Sequence, residues 1–340
     1  MSATAFKRDL SDPKTIADFV ARVTSLERLR LLLILTVVDI RAVGPGVWNG
    51  WKRQLLRELF DSAEEGLRLG HKQRGRRERV SALQEELGAR LGWEPSRFAR
   101  LAWHLPDSYW LAEPLDVLER NARFMDAADR APHDIGPLSI SVEEERSATL
   151  LTVYAKDQPG LFYRLTGAIS LAGANVIDAR IHTSTDGMAL DNFLIQDASG
   201  RPFSDPHQLD RLRKAVLDAV AGQEPMTERL EAKPLPLTRS EAFDIEPAVF
   251  VDPAASNRYT VVEVNARDRA ALLSGLARAI FDAKAIIHSA HIATYGERAV
   301  DVFYLTDTKG ARIEKPQTLK ALRTRLLKAA SEQEPARVAA

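Results

Sequence analysis

The chain has 340 residues, 45% apolar and 28% charged, the composition of a soluble globular protein with room for two or three separate cores. Lys+Arg and Asp+Glu both number 47, so no excess charge argues for a nucleic-acid partner or an acidic membrane surface. The absence of cysteine removes disulfides, thiol catalysis and thiolate metal sites, and suits a cytoplasmic protein.

The start, MSATAFKRDLSDPK, carries no apolar signal core. The longest apolar run, Leu31 to Val38, is far short of the roughly 20 residues of a membrane span. The first third reads as helices. Residues Leu26 to Val43 are apolar on most sides, as expected of a helix buried all round. Asp39 follows Leu35 by four residues, which directs its carboxylate to the interior, where it must be paired, hydrogen-bonded or metal-bound.

GPGVWNG breaks that helix, and Leu55, Leu56, Leu59 and Phe60 then recur at helical spacing up to Gly70. The basic run Lys72, Arg74, Arg76, Arg77 and Arg79 is followed by Glu78, Glu85 and Glu86, the pattern of a solvated helix face. Trp48, Trp51, Trp103 and Trp110 read as packing residues. Residues 1–70 thus form one helical segment, and 71–135 a set of connecting helices.

The doublet His133-Asp134, in APHDIGPLS, is of the kind that holds a divalent cation in metal-dependent phosphohydrolases. Such a site needs further ligands delivered from helices. Here Pro132, Gly136 and Pro137 bracket the doublet, the nearest upstream histidine is His104, and strand follows. It is read as part of a linker.

From Val153 the period changes and a repeat begins. Asp157 recurs as Asp268, 111 residues on, and Asp197 as Asp307, 110 on. Each copy reads strand, helix, strand, strand, helix. Leu161, Leu165, Ala168, Ile169 and Ala172 make one helical face, repeated by Leu272, Leu276, Ala279, Ile280 and Ala283. The pattern is a ferredoxin-like βαββαβ unit present twice, at 147–222 and 257–334. Between them, 223–256 is a linker with a closing strand near Ala248 to Val251. The fold class is α+β: an all-helical N-terminal segment, then two ferredoxin-like units. His288 and His291 lie three apart in a predicted strand, so they face opposite sides and make a poor chelate.

The turn DQPGL holds the parts of a ligand site. Asp157 can pair with an ammonium group and Gly160 permits close backbone approach. Leu161 starts a helix whose first N–H groups suit a carboxylate. The plainer alternative is that Asp157 caps the helix and Gly160 makes the turn. The residues alone leave both open.

DQPGLFYRLTGAISLAGANV resembles an ACT domain, an amino-acid-sensing module of metabolic enzymes. The order DIRAVGPGVWNGWKRQLLREL, helices, two such repeats and YGERAVDVFYLTD is similar to the C-terminal part of the PII uridylyltransferase/uridylyl-removing enzymes. In that family a nucleotidyltransferase domain moves UMP from UTP to the PII protein, an HD domain hydrolyses it off, and ACT domains bind glutamine. The resemblance makes 1–70 a remnant of the HD domain, with Asp39 its last metal ligand.

The chain departs from the family pattern in having no Gly-Ser dipeptide and no D-x-D, which nucleotidyltransfer needs. It therefore implies no complete catalytic site here. Mg2+ or another divalent cation belongs to the intact enzyme and not to this chain. Glutamine is the implied effector, held by Asp157, Gly160 and Leu161, with Asn175 reaching across a paired ACT interface. The second copy keeps Asp268 but has Ala270-Ala271 in place of Pro-Gly and Lys284-Ala285 in place of Gly-Ala, so weaker binding is expected there. PII protein is the implied partner, with self-association through the ACT units. The alternative is a free-standing, non-catalytic ACT regulator.

Overall fold

The computed structural model describes residues 1–8, 10, 12–42, 48, 50–69, 76–131, 136–222, 245–252, 255–269, 271–295 and 298–331. His133 and Asp134, most of the GPGVWNG break, Lys72, Arg74 and most of the linker lie outside the described residues.

Among the described residues, eight helices precede the sheet: α1 (Ser2–Ala5), α2 (Pro13–Val23), α3 (Leu26–Ala42), α4 (Gly50–Leu69), α5 (Arg76–Leu91), α6 (Pro95–His104), α7 (Asp107–Ala112) and α8 (Leu115–Arg130). Capping varies among them: α1, α6, α7 and α8 start without a side-chain cap, whereas α2 has one. There Asp12 accepts from the Lys14 amide at 2.9 Å and Pro13 takes the first turn, where no intrahelical N–H is needed.

α3 is not the buried helix its sequence predicts. Only Leu29, Thr36 and Ile40 are buried, while Leu31, Ile34, Leu35 and Val38 are 54–65% exposed. Asp39 is likewise exposed, so its carboxylate points to solvent and not to the interior. A helix apolar on most sides has no sequence signal for which side is covered; here α2 and α4 cover one. Trp103, expected to pack, is 81% exposed, whereas Trp110 is buried beside Tyr109.

The sheet has eight strands in the order β1-β2-β4-β3-β7-β8-β6-β5, all neighbours antiparallel. They are β1 (Leu138–Glu143), β2 (Ala148–Lys156), β3 (Asn175–Thr183), β4 (Met188–Gln196), β5 (Ala248–Asp252), β6 (Thr260–Arg267), β7 (Ala285–Tyr295) and β8 (Arg298–Asp307). Four helices cover one face: α9 (Leu161–Ala172), α10 (Pro206–Val220), α11 (Leu272–Asp282) and α12 (Pro316–Ser331). Alternation assigns the faces. Ala189, Phe193 and Ile195 of β4 join the core under α9 and α10. Leu190 and Leu194 face the N-terminal helices. The molecule is therefore three layers: helices, one sheet, helices.

The expected βαββαβ order is modified. The place beside each unit's first long strand is taken by a strand that enters the unit, β1 beside β2 and β5 beside β6. The strand near Ala248 exists but pairs with the second unit. Antiparallel pairing makes the entering strand as good an edge as a returning one. The repeated Asp197 and Asp307 are turn residues: Asp197 Oδ1 accepts from the amides of Ser199 and Arg201, and Asp307 Oδ1 from those of Lys309 and Ala311.

The units join edge to edge through β3 and β7, with Asp178, Ala179 and Arg180 opposite His291, Ala290 and Ser289. α9 and α11 pack antiparallel across the seam. The Ala271 amide, at the start of α11, donates to Ser170 Oγ near the end of α9 at 3.0 Å. Tyr163, near the start of α9, has its ring centroid 5.5 Å from that of Phe281 at the end of α11.

Candidate functional site

The loop before α9 is built by hydrogen bonds that leave its charged group unused. The Asp157 amide donates to Gly187 O at 3.0 Å, and Arg164 donates to Pro159 O, to Gln158 Oε1 and to Ala219 O. Gly160 is the N-cap in a left-handed conformation, φ +77°, and no side chain caps the helix. The Asp157 side chain is exposed and makes no hydrogen bond or ion pair with the described residues, so the reading of it as a cap does not hold. Glycine is favoured at position 160 on two counts. Its φ disfavours an L side chain, and an added Cβ would lie 2.3 Å from Tyr163 Cε1.

The loop before α11 has the same backbone with different chemistry. Ala271 adopts φ +60°, carrying a Cβ where Gly160 has none, and its N–H is engaged by Ser170. The residue matching Ser170 in the second copy is Phe281, which offers no hydroxyl to Gly160. Asp157, Gly160 and Leu161 are thus brought together. Asn175 is not with them: it is exposed beyond the far end of α9, about 18 Å of helix away. That end carries Ser170, so Asn175 shares the neighbourhood of Ala271 and not of Gly160.

Sequence reading missed two residues beneath these loops. Asp191 of β4 and Asp301 of β8 lie on the helix-covered face, each 1% exposed, and each has an Oδ1 without a hydrogen-bond partner among the described residues. Burial, with the nearby charge of Asp157, pushes Asp191 well above the usual carboxylate range. Burial and Asp268 push Asp301 up to about 8. The available signal was the repeated ALDNF and AVDVF, each with an aspartate on the apolar face of a strand.

A second polar cluster pins the N-terminal helices to the seam. Glu113, at the end of α7, accepts from Asn192 Nδ2 at 2.9 Å, meets His182 Nε2 at 2.9 Å and lies 3.8 Å from Arg180. Arg180 also pairs with Asp178 at 3.3 Å, and Asp178 with His291 at 3.0 Å. Burial works to raise the Glu113 pKa, but the His182 hydrogen bond and the Arg180 charge hold it below its ordinary value.

Beside the cluster is a small cleft, partly open to solvent, lined among others by His182, His288 and His291. His288 and His291 were expected on opposite faces. A bulge between Ile287 and Ser289 resets the alternation and puts both on this cleft. Burial, then the charges of Arg258 and His182, push His288 down to about 4. No cluster of three or more His, Asp or Glu side chains with metal-binding spacing occurs among the described residues.

The family model described as ACT domain matches residues 149–215. A bifunctional uridylyltransferase/uridylyl-removing enzyme of Novosphingobium aromaticivorans is 56% identical over 336 residues, 98% of this chain and 36% of the relative. Enzymes of the same description from Erythrobacter litoralis and Zymomonas mobilis subsp. mobilis are 54% and 46% identical, covering 98% and 97% of this chain and 36% of each relative. The chain is homologous to the C-terminal part of the bifunctional uridylyltransferase/uridylyl-removing enzymes.

It spans about a third of the length of the curated relatives it matches. A solved structure named for a glycine cleavage system transcriptional repressor aligns with 52% of the chain and 90% of its own, at 16% identity and a TM-score of 0.17, too low to bear on the argument. The ACT match covers the unit of Asp157 and Asp191. The second unit is recognised by repeating the same elements in the same order. No helix among the described residues is long and apolar enough to cross a membrane.

Proposed function

We propose that the chain is the glutamine-sensing portion of a bifunctional enzyme that transfers UMP to the PII protein and removes it. The observation that carries this reading is the loop before α9. It combines an unengaged Asp157 carboxylate, a glycine N-cap and the positive end of a 12-residue helix, which together suit an ammonium and a carboxylate held on one small molecule. The first unit is the principal site. In the second, Ala271 and the bond to Ser170 occupy the corresponding space and amide.

Residues 1–70 serve as the remnant of an HD domain and 71–135 as connecting helices, in a cytoplasmic protein. The exposed Asp39 faces outward beside Leu35 and Val38, as a ligand shared with the rest of a larger domain would. The divalent cation belongs to that larger assembly. Glutamine acts by unequal affinity for two states of the enzyme, since equal affinity shifts no equilibrium.

A thermal-shift series tests the ligand. Glutamine raises the unfolding temperature saturably, with a stabilisation of about 2.7 kcal/mol at a hundredfold excess over Kd. Glutamate, with its extra charge, has a smaller effect. Equal small shifts with both, scaling with ionic strength, would remove the reading.

A further inference from the structure

We propose that Asp191 is the carboxylate that receives the α-ammonium of a zwitterionic amino acid bound at the loop before α9, with Asp301 its counterpart beneath the filled loop of the second unit. The inference rests on the amino-acid-binding reading above and names a recognition residue for it.

The position of Asp191 comes from strand register. β4 runs from Met188, opposite Lys156 at the edge of the loop, to Gln196. On its helix-covered face come Ala189, Asp191, Phe193 and Ile195. Phe193 stacks on Phe162 of the first turn of α9, with centroids 5.8 Å apart. Asp191 is two residues nearer the loop, so it lies between that aromatic pair and residues 157–160. Val153 and Ile181 flank it on the neighbouring strands. No described residue in this apolar setting answers its Oδ1.

A buried carboxylate without a partner is costly, and one such residue could be incidental. The same arrangement occurs twice. Asp301 lies in β8 between Val264 and Ile292, with Ala299 and Phe303 on its face and Arg298 opposite Arg267 at the loop edge. It is as buried as Asp191, and its Oδ1 is equally unanswered. Each buried aspartate feels the charge of its unit's loop aspartate, Asp157 or Asp268. A buried carboxyl group on the strand that feels the charge of a carboxylate on the loop favours a cation near both.

Without ligand the buried member keeps its proton. When the ammonium docks, that carboxyl group releases its proton to solvent and the carboxylate–ammonium pair forms. Charge and atoms balance, and ligand binding carries a proton-release signature.

The test is calorimetric titration of the 340-residue chain with glutamine at pH 7 in phosphate and in Tris, whose ionisation enthalpies differ. The same titrations are made with Asp191→Asn, Asp301→Asn and, on the unsubstituted chain, N-acetylglutamine, which lacks the ammonium. The expected result is glutamine binding with release of about one proton per ligand at the first site. Asp191→Asn weakens that binding at least tenfold and abolishes the release, and N-acetylglutamine does not bind. Unchanged affinity and proton release in Asp191→Asn, or binding of N-acetylglutamine equal to that of glutamine, overturns the inference and leaves the glutamine reading standing. A folded, unsubstituted chain that binds no glutamine overturns both.

Discussion

Asp301 holds a proton in the folded chain at pH values where an unfolded chain has lost it. Its ordinary value of 3.8 is pushed up to about 8 by burial and by Asp268. Between those limits the folded state binds one more proton than the unfolded state, so its contribution to stability falls as pH rises and levels off above about pH 8. The slope is up to about 1.4 kcal/mol per pH unit. Urea unfolding of Asp301→Asn should therefore gain on the unsubstituted chain between pH 5 and pH 8; parallel stability curves would show that Asp301 is ionised in the fold. His288 acts at the other end. With its pKa pushed down to about 4, it stays neutral in the fold and its contribution is lost as pH falls from about 6.5. At this scale the turn was legible and the core was not. Asp157 and Gly160 announce themselves because a left-handed N-cap favours glycine. Asp191 and Asp301 do not, because an aspartate in an alternating strand looks the same on either face until the register is known.

Among the elements, one contact that fastens the N-terminal helices to the sheet is a buried charge cluster around Glu113, beside apolar packing on Leu190 and Leu194. Truncating the Glu113 side chain leaves Arg180, His182 and Asn192 around an unfilled site, which costs about 3–5 kcal/mol. Glu113→Ala should show this loss in chemical denaturation, with premature exposure of the α7–β3 contact to hydrogen exchange. A loss below about 1 kcal/mol would mean that apolar packing alone holds the layer. The opposite result is expected on α3. Leu35 is 65% exposed, so Leu35→Gln should change stability by no more than about 0.5 kcal/mol. A loss above about 2 kcal/mol would show that the face is covered in solution. Helices and strands were legible here from their periods and caps. Which side of α3 is covered was not, nor was the bulge that turns His288, since neither leaves a mark on residue spacing.

At the level of the whole molecule, the two units share one sheet and an antiparallel helix pair, so their ligand loops lie at opposite ends of the seam. The repeat made two units legible. It did not reveal that Asn175 would stand with the second loop, because that depends on the direction in which α9 and α11 cross. The near symmetry then makes the differences informative: Gly160 against Ala271, and Phe281 against Ser170. The first loop is left open and the second is filled. Calorimetric counting of glutamine sites on the 340-residue chain, on Gly160→Trp and on Ala271→Trp tests this most directly. The account predicts a saturable site that Gly160→Trp abolishes and Ala271→Trp leaves nearly intact. Equal losses in the two variants, or no saturable binding to the unsubstituted chain, would contradict it.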